Sequence, residues 1–372
     1  MLKQTKPQLP DVLSRWFDSR GWAPRRHQLD VLASHRAGES ALLIAPTGAG
    51  KTLAGFLPTL DDLINVPQDG LHTLYISPLK ALAVDVARNL TTPIGEMGLD
   101  ISVETRTGDT PQHKRQRQRY DPPNILLTTP EQIALLLSHA DSARLFGSLK
   151  RIVLDELHAM VTSKRGELLS LAIARLAKLA PDVKITALSA TVAQPEMLRD
   201  WIGAPVAPRP AVLLNADGGA LPELSILASE DRVPWAGHSG AYAHKDLYEI
   251  IKRNGTSLLF VNTRSQAEML FQGLWQINDD NLPIALHHGS LNVEQRRKVE
   301  SAMVRGELRA VVCTSTLDLG IDWGDVDLVI QIGAPKGASR MLQRIGRANH
   351  RLDEPSRALF VPSNRFEVLE CE

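Results

Sequence analysis

The stretch Ala41-Leu42-Leu43-Ile44-Ala45-Pro46-Thr47-Gly48-Ala49-Gly50-Lys51-Thr52 constrains this chain more than any other. Four apolar residues read as a buried strand, a Gly-rich turn follows, and Lys51-Thr52 opens a helix-compatible run from Leu53 to Ile64. Strand, glycine turn and helix in that order are what a phosphate-binding loop requires. Backbone N–H groups of Thr47, Gly48, Ala49, Gly50 and Lys51 can point inward at a phosphate, and the N-terminus of the next helix adds its dipole. In such a loop Lys51 neutralises the β- and γ-phosphates and the Thr52 hydroxyl ligates Mg²⁺. The strict pattern asks for Gly where this chain has Ala45, so the reading rests on the strand–loop–helix context. The ligand it predicts is a nucleoside triphosphate.

At 372 residues the chain is long enough for two or three domains. A hydrophobic fraction of 43% with 23% charged residues is ordinary for a globular protein, and no apolar run approaches the ~18 residues of a membrane span. The segment Met1 to Pro7 lacks the apolar core of a secretory signal. Of the two cysteines, Cys313 lies in an apolar run and Cys371 far from it in sequence, which supports neither a disulfide framework nor a zinc site. A reducing cytoplasm is the expected home. Formal net charge is zero, so bulk charge gives no support to non-specific nucleic-acid binding, and any such binding must be local.

Upstream of the loop, Pro10 to Arg36 contains Trp16, Phe17, Trp22 and then Pro24-Arg25-Arg26-His27-Gln28. The Gln28 amide can donate to and accept from an adenine edge, and Trp22 can stack on the base. Downstream, short apolar runs each end in polar or Gly-rich residues: Thr73 to Ile76, Ile125 to Leu127, Ile152 to Leu154 and Ile185 to Leu188. Helix-compatible stretches such as Leu79 to Leu90 and Gly166 to Leu179 lie between most of them. Alternating strands and helices predict a parallel α/β sheet, whose ligands sit at the carboxyl ends of the strands, where the polar clusters fall. From about Ala204 the pattern stops in a Pro- and Gly-punctuated stretch with some strand content at Ala211 to Leu214, and it resumes near Asp246. Runs at Leu258 to Val261, Ile284 to Leu286, Ala310 to Cys313, Leu328 to Ile330 and Ala358 to Val361 predict a second sheet, without a Lys-Thr loop of its own.

Asp155-Glu156 after a buried strand reads as the second half of the nucleotide site: Asp155 can hold Mg²⁺ and Glu156 can orient or deprotonate the attacking water. Phosphoryl transfer also needs positive charge at the γ-phosphate, and Gln343 to Arg351 offers it from the second sheet, with Arg347 the candidate arginine finger. The basic run His113 to Arg119 reads either as a solvated helix face or as a phosphate contact, and its lack of interleaved aromatics argues against a stacking platform. Thr162 to Gly166 reads equally as a strand-facing loop or a surface turn.

The ordered set resembles the superfamily 2 helicases of the Asp-Glu-x-His type over nearly the whole chain. The phosphate loop is similar to motif I, Ser77-Pro78-Leu79-Lys80-Ala81-Leu82 to motif Ia, and Asp155-Glu156-Leu157-His158 to motif II. Arg106-Thr107-Gly108-Asp109 and Thr128-Thr129-Pro130-Glu131 are similar to the DNA-contacting motifs between them, and Ser189-Ala190-Thr191 to motif III. Val261-Asn262-Thr263-Arg264-Ser265, followed by His288-Gly289-Ser290, resembles motif IV; Thr314 to Asp322 resembles motif V and Gln343 to Arg347 motif VI. The flanks, including Thr162 to Glu167, resemble the large helicase-related (Lhr) family, and more narrowly its bacterial, ligase-associated, DNA-damage-response members.

That resemblance implies an α/β fold of two tandem RecA-like domains, 1–205 and 236–372, joined by a linker at 206–235, with ATP in the cleft between them. It implies ATP-driven 3′-to-5′ movement on single-stranded DNA in the bacterial cytoplasm, by a monomeric motor core with DNA ligase and nuclease partners. In it Lys51 and Thr52 hold phosphates and Mg²⁺, Asp155 the metal and Glu156 the water; Gln343 and Arg347 sense the γ-phosphate; Gly320 and Asp322 approach the ribose. His158, Ser189 and Thr191 couple nucleotide state to domain motion. Pro78, Lys80, Arg106, Gly108, Asp109, Thr128, Thr129 and Pro130 grip DNA phosphates from the first domain, and Thr263, Arg264, Gly289, Thr314 and Thr316 from the second. Two departures stand out. His350 occupies the usual place of a second finger, with Arg351 next to it, and resembling proteins continue for several hundred residues past motif VI, so the chain reads as a motor core. Two other readings fit the same residues: an RNA or RNA–DNA hybrid helicase, and a nucleic-acid-binding module with weak ATPase activity.

Overall fold

The computed structural model describes residues 8–46, 48–203, 210–216, 220–237, 240–318, 325–335, 337–348 and 355–371. The chain divides into two compact units, the first containing the sheet that runs up to Asn215 and the second the sheet that begins at Glu223.

The first unit is built on β1 (Ala41–Ile44), β2 (Thr73–Ile76), β3 (Val103–Arg106), β4 (Ile125–Thr128), β5 (Arg151–Leu154), β6 (Lys184–Ser189) and β7 (Val212–Asn215). They form one seven-stranded sheet in the order β3-β4-β2-β5-β6-β1-β7, every pair parallel. A parallel sheet is covered on both faces by its crossover helices, and that is why β1, β2, β4 and β5 read as continuous apolar runs. Leu42, Leu74, Leu126, Ile152 and Ile185 bury into one core with helix residues Ile133, Phe146 and Ile173.

The helix Lys51–Asn65 lies close against the sheet because of Gly55. A Cβ there would stand 2.9 Å from Leu188 Cδ1 and 3.2 Å from Val153 Cγ1. At the far ends of the strands, Arg36 grips Asp61 with bonds of 3.0 and 2.7 Å, while Asp62 receives Arg151 Nε at 2.8 Å and faces His35 Nε2 at 3.0 Å. This ionic cluster closes the bottom of the sheet, one strand length from the Asp155 end.

The second unit is built on β8 (Glu223–Ile226), β9 (Ser257–Phe260), β10 (Ile284–His287), β11 (Ala310–Cys313), β12 (Leu328–Ile332) and β13 (Arg357–Val361). Its six strands run parallel in the order β10-β11-β9-β12-β13-β8. The segment 206–235, expected as a linker, contributes an edge strand to each sheet, β7 to the first and β8 to the second. Edge strands bury only one side, so their sequences carry too little apolar signal to stand out from a connection. No helix among the described residues is long and apolar enough to cross a membrane.

Gly55→Val should lower the stability of the first unit by about 1–3 kcal/mol, because the overlap with Leu188 and Val153 outweighs the gain in helix propensity. Chemical denaturation followed by far-UV circular dichroism measures it, and a variant as stable as the parent would show that the helix can move outward freely.

Candidate active site

The polar ends of β1, β5 and β6 share one edge of the first sheet. Gly48 and Gly50 take φ angles of 77° and 71°, conformations that glycine adopts without strain, and they wrap the loop ahead of Lys51. Lys51 Nζ donates to the Ala45 carbonyl at 2.9 Å, across the turn. His27 Nε2 donates to the Ala49 carbonyl at 2.8 Å, and Gln28 Nε2 reaches the Gly50 carbonyl at 3.4 Å while its Oε1 accepts from the Arg25 N–H at 2.9 Å. Gln28 therefore lies against the loop with one donor and one acceptor position already engaged by the backbone, leaving one of each on its amide. Trp22 stands exposed, packed edge-on against Trp16 at 5.7 Å. Thr47 lies outside the described residues.

Asp155, which follows β5, is 4% exposed. Its Oδ2 accepts a 2.5 Å bond from the fully buried Tyr75 hydroxyl, and its Oδ1 accepts from the Glu156 N–H at 2.9 Å. Burial, reinforced by the neighbouring Glu156 charge, pushes the Asp155 carboxyl up to about 6, with the Tyr75 bond and the Lys51 cation pulling the other way. Glu156 itself takes the left-handed conformation, φ 49° and ψ 43°, a strained geometry for a residue with a Cβ. It begins the helix Leu157–Val161, and its buried Oε2 has no hydrogen-bond partner.

His158 joins the second and third strand ends. Its Nδ1 lies 3.0 Å from Ser189 Oγ and accepts from the Ala190 N–H at 3.3 Å, which assigns its proton to Nε2, 3.5 Å from Glu156 Oε2. Burial holds His158 below the ordinary histidine value; the Glu156 charge opposes this and the Lys51 charge adds to it, so the ring is neutral at neutral pH. Thr191 is exposed and outside this chain of contacts.

The residues fit a hard divalent cation paired with a phosphate chain. A buried carboxylate and a neighbouring carboxylate oxygen without a hydrogen-bond partner need positive charge, and a hydroxyl at Thr52 completes an all-oxygen donor set of the kind Mg²⁺ selects.

In the second unit, the helix Ala338–Ile345 carries Gln343, half-buried, and leads to Arg347, which is 5% exposed. Arg347 Nη2 donates to the Asp318 carbonyl at 3.2 Å. The Asp318 carboxylate takes Arg344 at 2.7 and 3.3 Å, and Arg344 also donates to Gln331 Oε1 at 2.6 Å and stacks 4.6 Å over Phe260. Gly320, Asp322, His350 and Arg351 lie outside the described residues.

The strand-end loops expected to hold nucleic acid divide into two groups. Lys80 and Asp109 are exposed and paired with each other at 2.6 Å; Gly108, Thr263, Arg264 and Gly289 are exposed. Thr263 caps the helix Arg264–Gln276 by accepting from the Gln266 N–H at 3.2 Å, and Thr316 Oγ1 lies 2.9 Å from His287 Nδ1. Pro78, Thr129, Pro130 and Thr314 are buried.

Two expected contacts are corrected. Arg106 is buried and donates to the Arg115 carbonyl at 2.7 Å, with burial first and then Arg115 and Arg119 lowering it to about 10. The Thr128 hydroxyl donates to the Arg106 carbonyl at 2.8 Å inside the sheet. Both side chains hold β3 to its neighbours instead of facing a strand. The basic run forms the helix Gln112–Tyr120, and much of its charge is paired: Lys114 and Arg117 with Glu104, Arg119 with Asp141.

Two family profiles match this chain, the DEAD/DEAH box helicases over residues 25–198 and the helicase conserved C-terminal domain over residues 243–351. It is 35% identical to the ATP-dependent helicase Lhr-Core protein 2 of Thermococcus barophilus over 98% of its length, and 35% identical to the Lhr helicase/probable uracil glycosylase of Mycolicibacterium smegmatis over 96%. The chain belongs to the Lhr group of DEAD/DEAH-box helicases. It spans 44% and 26% of those two relatives. The structure of the Mycobacterium smegmatis helicase Lhr bound to single-stranded DNA and AMP-PNP is similar with a TM-score of 0.87 and 36% identity, covering 98% of this chain and 49% of that one. The DEAD-box helicase Mss116, at 22% identity and a TM-score of 0.79 over 97% of this chain and 74% of its own, shares the fold. Both sheets are thus RecA-like.

The sequence reading of this helicase passed over Tyr75, His27 and the Asp318–Arg344 pair. A signal existed for Arg344: helical spacing places it with the buried Met341, Ile345 and Ala348. Nothing marked Tyr75, a single polar atom in an apolar run.

Two outcomes follow from these geometries. A carboxyl whose folded pKa is raised binds its proton more tightly in the folded state, so stability is lost as pH climbs from about 4 to about 6. Asp155→Asn should therefore melt higher than the parent at pH 7.5, by on the order of 2 kcal/mol, and match it near pH 4. A constant difference across that range in pH-resolved thermal scans would refute the assignment. Asp318→Ala should destabilise the second unit by about 3–5 kcal/mol in urea, because it strands a buried guanidinium, whereas Asp318→Leu combined with Arg344→Met should recover most of that loss.

Proposed function

We propose that this chain is the motor core of an ATP-dependent helicase that moves along single-stranded DNA. The observation that carries the reading is the Asp155–Glu156–His158 constellation at the end of β5, electrostatically coupled to Lys51 of the phosphate loop. The neutral His158 reports on the Ser189 strand end, which gives nucleotide chemistry a physical link to the rest of the sheet.

The loop amides and Lys51 hold the phosphates, and the free donor and acceptor of Gln28 meet the adenine edge. Thr52 and Asp155 hold Mg²⁺, which when bound neutralises charge on the β- and γ-oxygens. Glu156 orients the attacking water from its strained backbone position, and Gln343 and Arg347 of the second unit stabilise charge at the γ-phosphate. Gly320 and Asp322 contact the ribose. Lys80, Gly108, Asp109, Arg264, Thr263, Gly289 and the backbone near Pro78, Thr129, Pro130, Thr314 and Thr316 grip successive phosphates without reading sequence. The mycobacterial relative, described with single-stranded DNA and AMP-PNP, supports DNA as the strand. The 3′-to-5′ direction, a bacterial cytoplasmic setting, monomeric action, domain bounds at 1–205 and 236–372, and a DNA-repair role with ligase and nuclease partners follow from the family resemblance.

Steady-state ATP hydrolysis with and without single-stranded DNA tests the reading. Stimulation of at least about tenfold is expected, with Glu156→Gln and Arg347→Ala each lowering kcat on the order of a hundredfold or more while nucleotide still binds. Hydrolysis indifferent to DNA would overturn it, and stronger stimulation by RNA of the same length would move the substrate class. Displacement of streptavidin from the 3′ or the 5′ end of a biotinylated strand reads the direction.

A further inference from the structure

The segment after the Asp155-Glu156-Leu157-His158 run turns back tightly on itself. Ser163 Oγ donates to the Met160 carbonyl at 2.6 Å and accepts from the Gly166 N–H at 3.3 Å, capping the helix Lys164–Leu179. A Cβ on Gly166 would lie 2.9 Å from the Met160 carbonyl carbon and 3.0 Å from Val161 Cα, both backbone atoms that have no room to yield. Glycine is required, and the turn carries Arg165 to two other strand ends.

Arg165 Nη1 donates to the Pro78 carbonyl, just past β2. Its Nε and Nη2 form a two-point pair with the Glu131 carboxylate just past β4, Nη2 to Oε2 at 3.0 Å. The bond from Arg165 is the largest influence drawing Glu131 below the usual carboxylate range. One guanidinium thus bridges the segments that follow β2, β4 and β5. Arg165 and Glu131 are 41% and 44% exposed, so the pair adds little to stability, and what its fork geometry supplies is orientation.

We propose that Arg165 is a positioning residue that fixes the strand-gripping loops after β2 and β4 to the helix following Asp155-Glu156, so that DNA binding and nucleotide state are transmitted through one bracket. This rests on the reading of those loops as DNA-facing. A rigid link with two discrete positions is what energetic coupling between two sites requires.

The test is ATP hydrolysis as a function of single-stranded oligo-dT, together with oligo-dT affinity with and without AMP-PNP, for the parent, Arg165→Ala, Arg165→Lys and Glu131→Gln. Arg165→Ala should keep the basal ATPase rate and the parent melting temperature, yet raise the half-saturating DNA concentration on the order of tenfold and shrink the effect of AMP-PNP on DNA affinity. Arg165→Lys keeps the charge without the fork and should behave like Arg165→Ala. Glu131→Gln should also weaken DNA, and the double variant should be no worse than Arg165→Ala, since both act through one contact. If Arg165→Ala weakens DNA but Glu131→Gln tightens it, Arg165 is a direct phosphate contact and the proposal is wrong. Unchanged half-saturation in all variants of a DNA-stimulated parent would also refute it. A parent that DNA does not stimulate would remove the DNA-facing reading, and this proposal with it.

Discussion

Asp155 keeps an ionisable carboxyl where water scarcely reaches, and the first sheet is arranged around that fact. The Tyr75 hydroxyl and the Glu156 amide take one oxygen each, and Lys51 supplies the nearest cationic influence. None of these fully compensates burial, which is why the carboxyl titrates so high. The site is thereby left with an electrostatic deficit that a divalent cation and its phosphates would fill. Glu156 adds a second form of stored energy, a left-handed backbone at a residue with a side chain. Strain and buried charge at one strand end are tolerable because Leu154, Ile152 and the rest of the core hold that strand from both faces.

The same strand ends are wired to one another by short polar contacts. His158 reaches Ser189 and Ala190 after β6, and Arg165 reaches Pro78 and Glu131 after β2 and β4. A small displacement at Asp155-Glu156 therefore has a physical route to the edge where nucleic acid would lie. In the second unit the Asp318–Arg344–Gln331 network does comparable work: Asp318 holds Arg344 through its carboxylate and Arg347 through its carbonyl, placing both arginines on one anchor.

Much of the candidate site was legible along the chain. Lys51, Asp155, Glu156, His158 and Ser189 belong to short runs whose residue types and spacing are dictated by phosphate and metal chemistry, and those runs fall where apolar strands end. The central strands were legible for the same reason, since burial on both faces demands continuous apolar residues. The edge strands β3, Val-Glu-Thr-Arg, and β8, Glu-Leu-Ser-Ile, were not, because their half-exposed residues look like connections. Arg106 and Thr128 looked like strand contacts because polar residues at strand ends ordinarily face a ligand; here both turn into the sheet edge and hold it together.

What the sequence determined by itself was the chemistry and the alternation of strand and helix, both of which are local: a phosphate loop needs its glycines and lysine in order, and a buried parallel strand needs its apolar run. The tertiary structure decided which polar groups meet. Tyr75 and Asp155 are 80 residues apart, Arg165 and Pro78 are 87 apart, and neither pair leaves a periodic trace in the chain. Their contacts exist because β2, β4 and β5 are brought side by side in the sheet, an order set by the packing of the whole unit.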